Sequence, residues 1–340
     1  MFEKQVKIPE AEQLIAQMPL PESLKKVKAE RDKLVADVIT GKSDKLLVIV
    51  GPCSAHEAAP VLDYVERLGK LNQKVKDKLV LIPRIYTNKP RSRGVGYKGM
   101  FSQPDPTKGE DILAGIYAIR DLNIKAIEAS GLSAADEMLY PANADYVADL
   151  LSYIAVGARS CENQLHRLVA SGFDVPVGVK NPMSGSVQAL LNSVYAAQSS
   201  QVFKLNNWQV KTGGNPLAHS VLRGAVDGYG NDIPNFHYET VMQVAEGYAK
   251  SGLKNPAIII DANHSNSAKK FKQQIRICEE VMQNRLYDGD FKRIVKGFMI
   301  ESFIEEGNQS EDKIYGKSIT DPCLGWCDTE RLILDIAEKV

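Results

Sequence analysis

Residues 79–100 read LVLIPRIYTNKPRSRGVGYKGM. The stretch opens as an apolar run, as expected of a strand buried on both faces. It then turns cationic: Arg84, Lys89, Arg91, Arg93 and Lys98 follow, with Pro90, Gly94, Gly96 and Gly99 among them and no carboxylate. A strand that empties into such a loop suits a small polyanion, because Arg and Lys bind phosphate and N–H groups bared by glycine add to the hold. Taken alone, the loop reads equally well as a solvated basic turn, so its meaning depends on what surrounds it.

Working outward, the same strand-then-charge pattern recurs. Apolar runs at 46–50, 79–85, 132–138, 155–158, 175–179, 202–205, 257–261 and 294–300 alternate with amphipathic segments at about 56–76, 110–129, 144–151, 163–170, 187–197, 238–251, 268–285 and 329–340. Eight strands alternating with helices predict an α/β fold, a (β/α)8 TIM barrel, with a doubly wound open sheet as the rival. The strand ends favour the barrel. Six of the eight deliver a charged or ligating residue at or just past the C-terminal end: Cys53, Arg84, Arg159, Lys180, His264 and Glu301. That end is where a barrel carries its active site. A polar, Gly-rich insert after the sixth run, 206 to about 235, contains Arg223 and reads as hairpin-like. Residues 1–44 form an N-terminal extension with a helical pattern over 22–40, expected to pack on the barrel, 45–340, or on another subunit.

The totals narrow the function. The chain has 340 residues, 44% of them hydrophobic, and 42 Lys plus Arg balance 42 Asp plus Glu. Zero net charge argues against nucleic acid and membrane surfaces as partners, so the cationic loop addresses something small. Five cysteines, scattered and without a C-x-x-C pair, indicate neither a zinc ribbon nor a disulfide scaffold and fit a reducing, cytoplasmic setting. The first residues lack the apolar core of a signal peptide, and no run is long enough to span a bilayer.

Ring closure would bring strands seven, eight and one together. Cys53, His264 and Glu301 would then meet, with Asp321 offered by the loop after strand eight. A thiol, an imidazole and two carboxylates suit a divalent transition metal, and Mn, Fe, Co and Zn all tolerate such ligands. Arg84, Lys89, Arg91, Arg159, Lys180 and Arg223 would face that cluster. A metal opposite fixed cations implies two anionic reactants, or one bearing several phosphate and carboxylate groups.

The motifs GPCSAHE, PRIYTNKPRSRGVGYKG, VGARSCENQLHR, PVGVKN, HSVLRGA, IIDANHSNS, MIESFIEEGNQ and YGKSITDPCLGW together resemble the type I 3-deoxy-arabino-heptulosonate-7-phosphate (DAHP) synthases from about residue 30 onward. The resemblance implies a barrel enzyme of the shikimate pathway that condenses phosphoenolpyruvate with erythrose 4-phosphate. It implies metal ligation by Cys53, His264, Glu301 and Asp321. It implies phosphoenolpyruvate binding by Arg84, Lys89, Arg159, Lys180 and Arg223 with Glu137 nearby, and erythrose phosphate binding by Arg91 and Ser92. Ser92 stands where the family usually has Thr, and Arg93 is either a further phosphate contact or a solvated charge. Lys180, Glu137 and Asp321 are the candidate catalytic groups, with Lys180 or a water held by Glu137 managing protons. Cys323, two residues after Asp321, is expected near Cys53 and able to pair with it on oxidation. A homodimer or homotetramer is expected. Feedback inhibition by an aromatic amino acid stays open, because the hairpin region is about five residues shorter than in regulated members. The sister condensation with arabinose 5-phosphate, a keto-donor aldolase and a non-catalytic effector-binding barrel are the alternatives.

Overall fold

The structure, a computed structural model, describes residues 1–311 and 313–340. Its frame is an eight-stranded parallel sheet: strand one Leu46–Gly51, two Leu79–Pro83, three Ala134–Glu137, four Leu151–Val156, five Val177–Lys180, six His219–Leu222, seven Ile258–Asp261 and eight Val295–Glu301. Their order is two-one-eight-seven-six-five-four-three. The remaining seam, between two and three, is held by a parallel bridge from Arg84 to Ala135, with Ile85 N donating to Ala135 O at 2.9 Å. The ring therefore closes, and the expected barrel is what the chain forms. Strands one and eight pair from Leu47↔Gly297 through Gly51↔Glu301. Glycine is required on that face: a Cβ on Gly297 would come within 2.3 Å of Leu47 O, and one on Gly51 within 2.3 Å of Arg84 O.

Alternation along the strands separates two cores. Leu47 and Ile49, Val80 and Ile82, Ala135, Tyr153 and Ala155, Val221, Ile259 and Met299 form one cluster, the filled lumen. Leu46, Val48, Val50, Leu79 and Leu81 belong instead to the layer under the helices, with residues such as Val61, Leu68, Ile116 and Val281. Helix α1 (Ala11–Gln17) buries Leu14 in that outer layer. Helix α2 (Glu22–Ile39) sends Val35, Val38 and Ile39 into the lumen cluster. It crosses the N-terminal end of the barrel: Arg31 donates to Leu81 O, and Ser152 at the start of strand four donates to Asp32 at 2.6 Å. Each of the three apolar side chains contributes about 1.5–3 kcal/mol by burial.

Two expected strands were misplaced: the fourth, expected over 155–158, runs Leu151–Val156, and the sixth lies elsewhere in the chain. Val202–Leu205 is not the sixth stave but one arm of an antiparallel hairpin with Trp208–Lys211, outside the barrel. Its residues alternate between exposed and half-buried, whereas all four of His219–Leu222 are buried. The true strand begins with His-Ser, which reads as polar. Both residues are satisfied internally: Tyr153 Oη lies 2.9 Å from His219 Nε2, Leu217 O lies 2.8 Å from Nδ1, and Tyr248 Oη donates to Ser220 Oγ at 2.9 Å. Arg223 consequently follows a barrel strand directly, and a second short hairpin, Ala225–Val226 with Asp232–Ile233, comes after it. The helix expected over 144–151 is replaced by 3-10 turns Pro141–Tyr146 and Ala148–Leu150, because strand four starts at Leu151 and leaves no room for it.

Burial pushes the His219 imidazole down to about 4. A depressed pKa supplies stability that is present above the unfolded value of about 6.5 and lost as pH falls toward 4. Between pH 7 and pH 5 the protein should lose about 2 kcal/mol more unfolding free energy than His219→Asn, which cannot titrate. Urea denaturation of both at the two pH values checks this, and parallel losses would contradict it.

Candidate active site

The C-terminal ends of the strands open into a cleft of about 230 Å³ lined by Cys53, Lys89, Arg91, Glu137, Arg159, Lys180, Arg223, His264 and Asp321, among others. Arg84 lines its floor, with Glu301 paired to it beneath. Arg84 lies one residue past strand two, and Glu301 ends strand eight. Arg84 Nη2 donates to Glu301 Oε1 at 2.9 Å, with side-chain exposures of 3% and 1%. Arg84 also donates to Pro52 O and stacks its guanidinium 3.6 Å over the Tyr86 ring. Burial opposes the charge on Glu301, but Arg84 and His264 outweigh it and hold the carboxyl below its usual range.

Around this pair lies a thiol–imidazole–carboxylate cluster. Donor atoms of Cys53, Glu301 and Asp321 all lie within 4.8 Å of one another. His264 Nε2 is 3.8 Å from Glu301 Oε1, and its Nδ1 is 2.9 Å from Asp261 Oδ2. The ring is aimed by a left-handed backbone at His264, φ 49°, a conformation that side-chain-bearing residues adopt at a cost. Lys89 Nζ stands 2.7 Å from Cys53 Sγ and 2.8 Å from Asp321 Oδ2. Lys269 reaches the other Asp321 oxygen at 3.2 Å. Burial, reinforced by Glu301, pushes the Cys53 thiol up, so forming a thiolate there needs more positive charge nearby. The sulfur of Cys53 and the oxygens of Glu301 and Asp321 converge, while His264 stands beside Glu301 and outside that group of three; such donors fit a divalent transition ion, which would supply that charge.

Of the cations expected opposite the cluster, Arg84 and Lys89 lie within it, and Lys180, Arg223, Arg159 and Arg91 line the same cleft. Lys180 ends strand five with Nζ 2.9 Å from Asp261 Oδ2. Arg223 donates to Ser265 Oγ at 3.2 Å, and burial lowers its pKa, with Arg159 adding to the effect. Arg159 is exposed to the cleft, and Arg91 Nε donates to Tyr97 O at 2.8 Å. Glu137, at the end of strand three, faces Gly157, where a Cβ would come within 2.4 Å of its carboxylate. Ser92 and Arg93 lie exposed in the turn beyond and are not part of the cleft wall. Cys53 and Cys323 are both buried free thiols, and Cys323 lies against the Cys53 backbone.

Sequence reading missed Asp261, which bridges Lys180 and His264; despite burial, those two partners drive its carboxyl far below the usual range. Its signal was its place at the end of strand seven, three residues before His264. Also missed were Asn263, which donates to Glu301 Oε2 at 2.6 Å, and Gln274, which exchanges two hydrogen bonds with the Glu301 backbone.

A barrel with charged and ligating groups at its strand ends defines an enzyme of the (β/α)8 class. The profile of the DAHP synthetase I family matches residues 20–333. The Trp-sensitive phospho-2-dehydro-3-deoxyheptonate aldolase of Enterobacter agglomerans is 40% identical over 317 residues, 91% of this chain and 88% of that protein. The Phe-sensitive aldolase of Escherichia coli K12 is 38% identical over 337 residues, 96% and 93% of the two chains. A solved phospho-2-dehydro-3-deoxyheptonate aldolase from Francisella tularensis SCHU S4 superposes with a TM-score of 0.91 at 31% identity, covering 100% of this chain and 98% of that one. The chain belongs to the type I DAHP synthase family and is an enzyme, a transferase.

Replacing Glu301 by Gln leaves Arg84 buried without a counter-charge and should cost about 3–5 kcal/mol. Asp321→Asn, at a site whose side chain is 25% exposed, should cost about 1 kcal/mol or less. Denaturant unfolding of the two variants tests the contrast; equal losses would contradict the role given to the buried pair.

Proposed function

We propose that this chain condenses phosphoenolpyruvate with erythrose 4-phosphate and water, giving DAHP and inorganic phosphate, with a divalent ion held by Cys53, His264, Glu301 and Asp321. The observation that carries the reading is one cleft in which the Cys53–Glu301–Asp321 group, with His264 beside Glu301, faces Lys180, Arg159, Arg223 and Arg91. The alternatives need less: a keto-donor aldolase has no donor phosphate to hold, and an effector-binding barrel has no need of the full donor set.

When bound, the ion supplies Lewis acidity toward the aldehyde oxygen of the aldose. The chain's own groups do the rest. Arg159, Lys180 and Arg223 bind the phosphate and carboxylate of phosphoenolpyruvate, and Arg91 binds the erythrose phosphate. Held this way, the methylene carbon of phosphoenolpyruvate faces the aldehyde carbon, and orientational entropy is removed from the barrier before bond formation. As that carbon–carbon bond forms, positive charge grows on the enol carbon, where water adds. Glu137, across Gly157 from Arg159, takes a proton from that water. Lys180, its ammonium held by Asp261, protonates the oxygen of the former aldehyde and regains that proton from Glu137. The new hydroxyl on the enol carbon gives its own proton to the departing phosphate as the C–O bond breaks and the carbonyl forms. Asp261 thus positions both Lys180 and His264.

Phosphate release should require both substrates and a divalent ion, and arabinose 5-phosphate should not replace the four-carbon sugar. Cys53→Ala should abolish turnover with the fold retained by circular dichroism. Arg159→Ala should raise KM for phosphoenolpyruvate about tenfold or more, the loss expected for one charged hydrogen-bonding contact. Release without the sugar, or an unchanged KM, would overturn the assignment.

A hollow of about 500 Å³ between α2, the turn before strand five and the Val202–Lys211 hairpin carries Lys28 and Asp32 beside Phe173, Phe203 and Leu205. Apolar walls with both charge signs fit an aromatic amino acid, and relatives bear the names Trp-, Phe- and Tyr-sensitive. We assign feedback binding to this hollow. One of Phe, Tyr or Trp should inhibit the wild type, and Phe203→Ala should weaken that inhibition about tenfold or more; no inhibition by any of the three contradicts it.

A further inference from the structure

The N-terminal end of the barrel, opposite the cleft, holds a second concentration of positive charge. A hollow of about 280 Å³ lies between the 41–45 turn that leads into strand one and the segment Gly289–Lys296 that leads into strand eight. Lys45, Arg285, Lys292, Arg293 and Lys296 line it, against a single carboxylate, Asp44. Arg293 is paired with Asp290, and Lys45 donates to Lys76 O at 2.6 Å. Among the described residues, Arg285, Lys292 and Lys296 have no carboxylate within ion-pair distance.

The three differ in burial, with Arg285 buried, Lys296 half-buried and Lys292 on the exposed rim. Arg285 is 6% exposed and spends Nη1 on the carbonyls of Lys292 and Val295. Lys296 is half-buried, and its Nζ approaches Gly41, where a Cβ would sit 3.8 Å from it. Burial and then the neighbouring Arg285 lower the pKa of Lys296, with Asp44 opposing. A buried and a half-buried cation side by side without a paired carboxylate are unfavourable, and together with Lys292 on the rim they recover that cost by taking an anion. The hollow has no aromatic ring to stack a nucleobase, and Gly41, Gly289 and Val295 are its non-polar lining. The occupant is therefore compact and rich in charge.

We propose that this end of the barrel binds a compact phosphate-type anion through Arg285, Lys292 and Lys296. The site is separate from the catalytic cleft: Lys296 and Glu301 stand near opposite ends of strand eight, about 17 Å apart at a strand's rise per residue. It does not depend on the reaction assigned to the cleft, and each can fail without the other.

The test is calorimetric titration with inorganic phosphate, with chloride at equal ionic strength as the control for screening. The wild type should bind phosphate at the far end as well as in the mouth. A double variant of the mouth, Arg91→Ala with Arg159→Ala, should retain one phosphate per chain. Lys292→Met with Lys296→Met should lose that component by about tenfold or more, the loss expected for charged hydrogen bonds, while its condensation rate stays at the wild-type value. Its Tm in phosphate-free buffer should not fall, since unpaired cations have been removed, and phosphate should raise the Tm of the mouth variant but not that of a variant carrying both pairs of substitutions. Should the double variant fail to fold, Lys292→Glu on the exposed rim decides the matter. Loss of all phosphate binding in the mouth variant, unaltered binding in the far-end variants, or an equal response to chloride overturns the proposal.

Discussion

The buried Arg84–Glu301 ion pair is the contact on which the mouth of the barrel depends. It spans strand one, joining the end of strand two to the end of strand eight. Two nearly unexposed charges must satisfy one another, because neither can turn to water without breaking the floor of the cleft. Once Arg84 is committed to Glu301, Pro52 O and the Tyr86 ring, the Gly-Pro-Cys turn after strand one has a fixed course, and with it Cys53. Arg84 is thus a structural counter-charge under the cluster that also lines the cleft.

The rest of the site follows a similar logic of shared partners. Asp261 holds Lys180 and His264 with one carboxylate oxygen. Asp321 is held by Lys89 on one oxygen and Lys269 on the other. Each carboxylate of the donor side is therefore tied to a cation, and the two halves of the cleft are coupled through buried bonds rather than set independently. This keeps the carboxylates of the donor side paired, since an unpaired one in a dry site would cost several kcal/mol, and among the described residues it leaves Arg159 and Arg223 without a carboxylate partner in the cleft.

Legibility was uneven, for physical reasons. Strands whose two faces are both buried announce themselves as β-branched runs, and Leu46–Gly51, Ile258–Asp261 and Val295–Glu301 were visible in this way. Strand six was not, because His219 and Ser220 carry polar groups whose partners, Tyr153 and Tyr248, are distant in sequence. The hairpin arm Val202–Leu205 looked like a strand and is one, but its half-exposed face belongs to a surface ribbon. Correcting strand six also explains Arg223: it comes one residue past the end of a stave, as Arg84 does past strand two, whereas Lys180 and Glu301 end theirs.

The sequence by itself determined the alternation of strand and helix, the chemical types at the strand ends and the family, since all three are written in local runs and motifs. Only the tertiary structure decided which ends meet. The closure of strand one on strand eight brings Cys53 to Glu301 across most of the chain length, and the same closure gathers Arg285, Lys292 and Lys296 beside the 41–45 turn at the opposite end. Such neighbours are set by the ring of hydrogen bonds, and no spacing along the chain encodes them.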